Sequence, residues 1–256
     1  MNDNKIHSID ESKKTDFGFE FINIEEKTKK VKKIFNSVSY RYDIMNDIMS
    51  FGLHRIWKKL LVNNANIRNN MKLLDIAAGT GDLTKLVLEK SNFNDGEIWL
   101  SDINKNMLNI GISRLLDYGF KIPAVVCDAE NLPFKSLYFD RVILSFGLRN
   151  MTNKDLALKE MFRVLKPGGR LLILEFSKVN SLFISKLYDL YSFCMIPWIG
   201  KKITGDELSY KYLVESIRMH PSQKVIMQMM KSAGFDIVRY KNFSSGIVAL
   251  HEGIKI

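Results

Sequence analysis

LLDIAAGTGDL, residues 73–83, is the stretch whose reading decides the fold. Leu73, Leu74, Ile76 and Ala77 form an apolar run interrupted only by Asp75, the pattern of a strand buried on both faces of a parallel sheet. Gly79 and Gly81 then bracket Thr80, and Leu83, Leu86 and Val87 follow at helical spacing. A strand, a tight glycine turn and a helix N-terminus in succession bring bare backbone N–H groups against a ligand. A dinucleotide fingerprint requires a third glycine where this chain has Thr84. Asp75 is expected at the strand end, where its carboxylate would hold the cationic amino group of an amino-acid-like ligand. Together these features favour S-adenosylmethionine; the alternative is a glycine turn such as any α/β protein uses.

With 256 residues and 46% hydrophobic content, the chain has enough apolar material for one large α/β domain. Its formal net charge of +10 favours an anionic partner, either nucleic acid or an anionic membrane face. The cysteines, Cys127 and Cys194, have neither metal-ligand nor C-x-x-C spacing, which argues against a disulfide framework or a zinc site and fits a reducing compartment. The acidic, weakly apolar N-terminal residues do not read as a targeting segment. The longest apolar stretch, Leu190 to Ile199, is shorter than the roughly 18 residues of a membrane span. A cytoplasmic protein is expected, with any membrane contact peripheral.

Residues 1–22 read as a mobile tail and residues 23–256 as a single domain, of which 23–70 form an N-terminal helical cap. Ile24, Val31, Ile34, Phe35 and Val38 fall at helical spacing, with Lys27, Lys29, Lys30, Lys32 and Lys33 on the other faces. That basic helix is either a solvated face over an ordinary core stripe or a membrane-surface or nucleic-acid contact. The segment Tyr40 to Lys59 carries more hydrogen-bonding groups than a core segment needs, and suits the cover of a pocket for a ring with polar edges.

The second strand, Glu97 to Ile103, carries Asp102 at its end, placed to take the hydroxyls of a ribose; the alternative role is a helix cap. A third strand closes on Asp128 and Ala129, whose carboxylate and N–H suit an adenine edge, while Cys127 is expected to turn away as a small buried side chain. Arg141 to Gly147 and Arg170 to Phe176 read as strands four and five. Residues 179–222 form an aromatic-rich helical insertion, a second wall of the substrate pocket, and two further strands finish a mainly parallel sheet.

Seven ordered motifs give the chain a specific resemblance. YDIMNDIMSFGLHRIWK (42–58), LDIAAGTGDL, LSDIN (100–104), SFGLRN (145–150), RVLKPGGRLL (163–172), LEFSK (174–178) and ESIRMHP (215–221) resemble the UbiE family of quinone-biosynthesis C-methyltransferases, from about Phe17 onward. The resemblance implies a class I S-adenosylmethionine-dependent, Rossmann-like fold with a seven-stranded sheet. It also implies cofactor contacts at Thr80, Asp102, Asp128 with Ala129, and Ser145, beside the glycine turn of Gly79 and Gly81. Ala78 stands where many members carry glycine, and Asp128 where some carry asparagine. The implied substrate is a lipophilic quinol, demethylmenaquinol or a polyprenyl methoxybenzoquinol, with peripheral contact to an anionic membrane and association with other quinone-biosynthesis enzymes as further expectations.

Methyl transfer to a ring carbon needs a phenolate and an acceptor for the ring proton. Arg149 is expected to stabilise the phenolate, because a guanidinium remains charged, and Asn150 to orient a ring oxygen. Tyr42, Asp43 and His54, or a water held among them, are the proton-acceptor candidates, and His220 reads as a capping or lid residue. A nucleic-acid methyltransferase would also be basic. The loop SFGLRN, however, lacks an Asn/Asp-Pro-Pro-aromatic box, neither cysteine follows a proline, and no nucleic-acid partner is expected. A non-catalytic S-adenosylmethionine-binding scaffold is the other alternative, and the retained Gly79, Gly81 and Asp102 argue against it.

Overall fold

The computed structural model describes residues 14–39, 42–90, 96–179 and 207–256, together with Lys186, Tyr188, Leu190, Tyr191 and Phe193; the side chains of Tyr42 and Asp43, and all of Cys194, lie outside the described residues. A seven-stranded sheet orders the chain: β5 (Ala124–Val126), β4 (Glu97–Asp102), β3 (Lys72–Ile76), β6 (Phe139–Ser145), β7 (Leu165–Phe176), β9 (Val248–Ile254) and β8 (Ile237–Phe243), in that spatial order. The first five run parallel, and β9 is antiparallel to both its neighbours. The order reverses between β3 and β6, the switch point outside whose carboxyl ends a doubly wound sheet binds its ligands.

Strand alternation explains how one apolar run serves two faces. Leu73, Ile143, Leu172, Leu174 and Leu250 pack with α3 (His54–Ala65), α4 (Asp82–Lys90) and α7 (Glu207–Met219) through Trp57, Leu61, Val87 and Leu213. Their neighbours Leu74, Ile76, Val142, Leu144, Leu171 and Ile173 pack with α6 (Lys154–Val164) and α8 (Gln223–Ser232) through Leu158, Met161, Ile226 and Met230. Two cores flank the sheet, so every strand except the edges must be apolar throughout. Asn153 caps α6 by accepting from the Leu156 N–H at 3.0 Å.

The N-terminal segment differs from the expected tail. Within 1–22, the described residues form a hairpin, β1 (Lys14–Phe17) paired antiparallel with β2 (Glu20–Asn23), leading directly into α1 (Ile24–Val38). Partners distant in sequence hold it. Lys27 is fully buried, with its Nζ 3.2 Å from the Asp16 carboxylate and 3.4 Å from the Thr15 hydroxyl. Phe17 stacks on Tyr212 at 4.4 Å, and the Phe19 N–H donates to Glu215 at 3.2 Å. Burial and the nearby Lys154 push the Lys27 ammonium down to about 8, against the pull of Asp16. The lysine run of α1 is therefore divided: Lys27 is internal, and only part of the run meets solvent.

His251, on β9, is buried with Nε2 3.1 Å from the Gln223 carbonyl, and burial pushes its imidazole down to about 4. An unfolded histidine takes up its proton near pH 6.5, so between that pH and about 4 the unfolded chain binds more protons than the folded one. Stability is fully present above that window and falls on acidification through it, by about 3 kcal/mol from this residue. Thermal melts from pH 7 to 4 should show a shallower decline for His251→Gln than for the parent.

Candidate functional site

A cavity opens at the carboxyl ends of β3, β4, β5 and β6, and its walls come from those four ends and from α1. Ala77 and Gly79 supply the turn after β3; Asp102 ends β4 and Asn104 follows it; Asp128 and Ala129 follow β5; Phe146, Gly147 and Asn150 follow β6. α1 closes the remaining side with Thr28, Val31, Lys32 and Phe35. The side chain of Asn36 fastens α1 down, accepting from Asn104 Nδ2 at 2.9 Å and Asn106 Nδ2 at 3.1 Å.

The glycine turn is built to present backbone. Gly79 has φ +56°, a left-handed conformation that leaves its N–H pointing at the Asp102 carboxylate, 2.8 Å away. Ala77 just before it is also left-handed, at φ +51°, and so is Phe146 at the end of β6, at φ +57°. Two adjacent strands thus end in strained residues where they meet the cavity, a placement typical of binding sites. On its outer side the turn rests on Gly111 of α5 (Lys105–Asp117): a Cβ there would lie 2.9 Å from the Gly79 carbonyl oxygen and 3.1 Å from the Gly81 nitrogen. Gly111 is a site residue that the sequence reading did not single out, since a lone glycine in a helix carries no motif. Gly111→Ala must displace the turn, and an overpacking cost of about 1–3 kcal/mol, if carried by the bound state, corresponds to roughly 5- to 150-fold in ligand affinity. Titration calorimetry with S-adenosylmethionine checks it.

Asp102 is held by donors on both oxygens, Gly79 N on one and Asn104 N on the other at 2.7 Å. Burial pushes its carboxyl above the usual range, while these backbone N–H groups and Lys32 work in the other direction. Asp128 lines the cavity with Oδ1 accepting from the Glu130 N–H at 3.0 Å, and Ala129 lies beside it. Cys127, expected to turn away, lines the cavity as well, and burial pushes its thiol up to about 11.

Asp75 departs from its expected role. It lies inside β3, not at its end, is almost fully buried and is not part of the cavity wall. Its carboxylate accepts from the Thr84 hydroxyl at 2.7 Å, and burial pushes it up to about 7. Thr84, standing where a dinucleotide fold has glycine, is thus the partner that makes a buried Asp75 tolerable. Thr80 is buried in the turn, with a hydroxyl that has no partner among the described residues. Ser145 ends β6 half-buried; its neighbours Phe146 and Gly147, not Ser145 itself, face the cavity.

Of the expected catalytic residues, Asn150 lines the cavity and accepts from the Tyr212 hydroxyl at 3.1 Å. Arg149, next to it, is buried and ion-paired: Nη1 lies 2.8 Å from Glu175, with Phe146 O as a second acceptor at 2.5 Å. Its Nε has no partner among the described residues, leaving one guanidinium N–H uncommitted. His54 opens α3 with Nε2 2.9 Å from Asp47, which also accepts from Arg55 at 3.1 Å; it is not on the cavity wall. Burial, then Lys58, lowers its imidazole, against the pull of Asp47. Tyr42 and Asp43 begin α2 (Tyr42–Ser50), with side chains outside the described residues. His220 is no surface cap: it is buried, and burial followed by the charges of Lys154 and Arg149 keeps its imidazole well below the ordinary range.

These donors fit S-adenosylmethionine. Asp102 would take the ribose hydroxyls, Asp128 and the Ala129 N–H the adenine edge, and the Gly79 turn the amino-acid end, with the apolar Val31, Phe35, Ile76 and Met107 around them. Bound there, the cofactor supplies an electrophilic methyl group on sulfonium. The chain's own contribution would be to orient it through Asp102 and Asp128, to exclude water with α1, and to present Asn150 on the cavity wall; Arg149 is buried and is not part of that wall.

The sequence profile of the ubiE/COQ5 methyltransferase family matches residues 23–255. The chain is 54% identical over 242 residues to the ubiquinone/menaquinone biosynthesis C-methyltransferase UbiE of Bordetella parapertussis, covering 94% of this chain and 93% of the relative. It is 56% identical to the protein of the same name from Burkholderia mallei, covering 94% and 99%. Among solved structures, a Thermotoga maritima S-adenosylmethionine-dependent methyltransferase superposes with a TM-score of 0.63 at 19% identity, over 88% of this chain and 99% of that one, which shows the class I fold. By profile and by identity over nearly its whole length, this chain belongs to the ubiE/COQ5 methyltransferase family, as an S-adenosylmethionine-dependent enzyme.

Proposed function

We propose that the chain methylates a ring carbon of a prenylated hydroquinol, demethylmenaquinol or a polyprenyl methoxybenzoquinol, in menaquinone or ubiquinone biosynthesis. The observation that carries this reading is the pair Arg149–Asn150 at the end of β6. Asn150 is an amide on the cavity wall, and its chain neighbour Arg149 is a buried cation off that wall whose Nε–H has no partner among the described residues; the amide suits a ring oxygen and the nearby charge a phenolate. A hydroquinol carbon becomes nucleophilic when an adjacent hydroxyl loses its proton, and a fixed guanidinium favours that anion without acting as a base. The names of the relatives at 54–56% identity support the same chemistry.

The test is a purified-enzyme assay with methyl-labelled S-adenosylmethionine and short-tailed forms of both quinols, with nucleic acid as the control acceptor. Label on a quinol ring carbon is the expected result; label on nucleic acid alone would replace the proposal. Among the described residues, no helix is long and apolar enough to cross a membrane.

A further inference from the structure

We propose that Tyr212 is a positioning residue for the methyl transfer: by engaging the side-chain oxygen of Asn150 it turns that amide's NH2 toward the cavity, where a donor favours the ionised ring oxygen of the quinol over the hydroxyl. The inference rests on the prenylated-quinol reading and adds to it the polarity of the ring-oxygen contact and the residue that sets it.

Asn150 closes a single helical turn, Leu148–Asn150, and its N–H is pinned on the Gly147 carbonyl at 3.1 Å. With the backbone fixed, the amide retains one choice, because its acceptor and donor ends have nearly the same shape and either could face the cavity. Tyr212 makes that choice. Its side chain is 5% exposed, its hydroxyl lies 3.1 Å from Asn150 Oδ1, and no other hydrogen bond engages that hydroxyl among the described residues. A buried phenol with one polar neighbour donates its proton there, since the reverse arrangement orphans the O–H. Asn150 Nδ2, which donates to none of the described residues, is left to the cavity that Asn150 lines. A hydrogen bond from NH2 strengthens as the oxygen it meets loses its proton, whereas a carbonyl oxygen in the same place would accept from the hydroxyl and hold the proton on.

Tyr212 is itself held by the N-terminal hairpin. Phe17 stacks on its ring at 4.4 Å with 28° between the planes, and Glu215, one turn further along α7, accepts from the Phe19 N–H. Between those two contacts, a Cβ on Gly18 would lie 2.3 Å from Glu215 Oε2, so the hairpin is moulded closely to α7. The hairpin does not line the cavity, and it bears on the reaction through Tyr212. The charges of Arg149, Asp16 and Glu175 face the Tyr212 hydroxyl, but burial is the largest influence and holds it above the ordinary phenol range, so it remains a donor across the pH range of an enzyme assay.

The test is the pH profile of turnover by the full chain, with methyl-labelled S-adenosylmethionine and short-tailed quinol. Tyr212→Phe removes one O–H and should lower the melting temperature by no more than about 4 °C. Its kcat should fall about tenfold near neutral pH, with the KM for S-adenosylmethionine unchanged. The rise of kcat with pH should move up by about one unit, so the deficit closes in alkaline buffer. Titrations common to parent and variant, those of His54 and His220 included, cancel in the ratio of the two profiles. Asn150→Asp still accepts from Tyr212 but has no donor for the ring oxygen, and should lose roughly a hundredfold in kcat. Tyr212→Phe added to Asn150→Ala should cost nothing further, because the tyrosine acts through the amide. Parental turnover in Tyr212→Phe, a loss that is the same at every pH, or parental turnover in Asn150→Asp overturns the proposal and leaves the substrate reading standing. Label on neither quinol with the parent enzyme overturns the substrate reading, and this proposal with it.

Discussion

Asp102→Ala is expected to raise the Kd for S-adenosylmethionine by roughly 10²–10⁴-fold, because each hydrogen bond to a charged acceptor contributes about 1.5–3 kcal/mol and the carboxylate offers one to each ribose hydroxyl. The effect has a second source. The Asp102 carboxylate accepts from Gly79 N and Asn104 N, so its loss frees the turn that would receive the amino-acid end of the ligand. Asp102→Asn separates the two contributions. The amide keeps one acceptor oxygen but turns an NH2 toward a backbone donor, so in both ligand affinity and thermal stability it should fall between the parent and the alanine variant. Calorimetric titration of both variants decides the matter: affinity within threefold of the parent would remove Asp102 from the ribose-binding role.

Asp102 was legible in the sequence because strand, turn and acid are local features, set by spacing within some thirty residues of one chain segment. The seven strands and the glycine turn were legible for the same reason. Asp75 shows the limit of such reading. A strand's end cannot be fixed to one residue by its apolar pattern, and a shift of that size moves a side chain from ligand contact to the interior. The hairpin at Lys14–Asn23 was missed because what orders it lies nearly 200 residues away, in Tyr212 and Glu215. Lys27 was read as one of five alike lysines; only the fold distinguishes the one that faces Asp16. Arg149 was read as a phenolate stabiliser; it is buried and is not part of the cavity wall, and its partner Glu175, on the adjacent strand, could not be read from SFGLRN.

That partner changes what substitution of Arg149 should do. Arg149→Ala leaves Glu175 buried without its counter-ion, and Glu175→Ala leaves Arg149 likewise; breaking a buried pair from either side costs about 3–5 kcal/mol. Glu175 also accepts from the N–H groups of Phe176 at 2.9 Å and Arg149 at 3.2 Å, so its removal orphans backbone donors as well. Lost activity in either single variant would therefore not distinguish chemistry from unfolding. Arg149→Met combined with Glu175→Gln does: it removes both charges, keeps an acceptor oxygen for the backbone, and preserves volume, so urea melts should show most of the lost stability recovered. Asp102 and the glycine turn are untouched, and S-adenosylmethionine affinity should stay near that of the parent. On the proposed reading, in which this cation favours the phenolate, turnover on the quinol should nevertheless be absent. A folded, ligand-binding double variant that methylates at the parental rate would assign Arg149 to the fold alone.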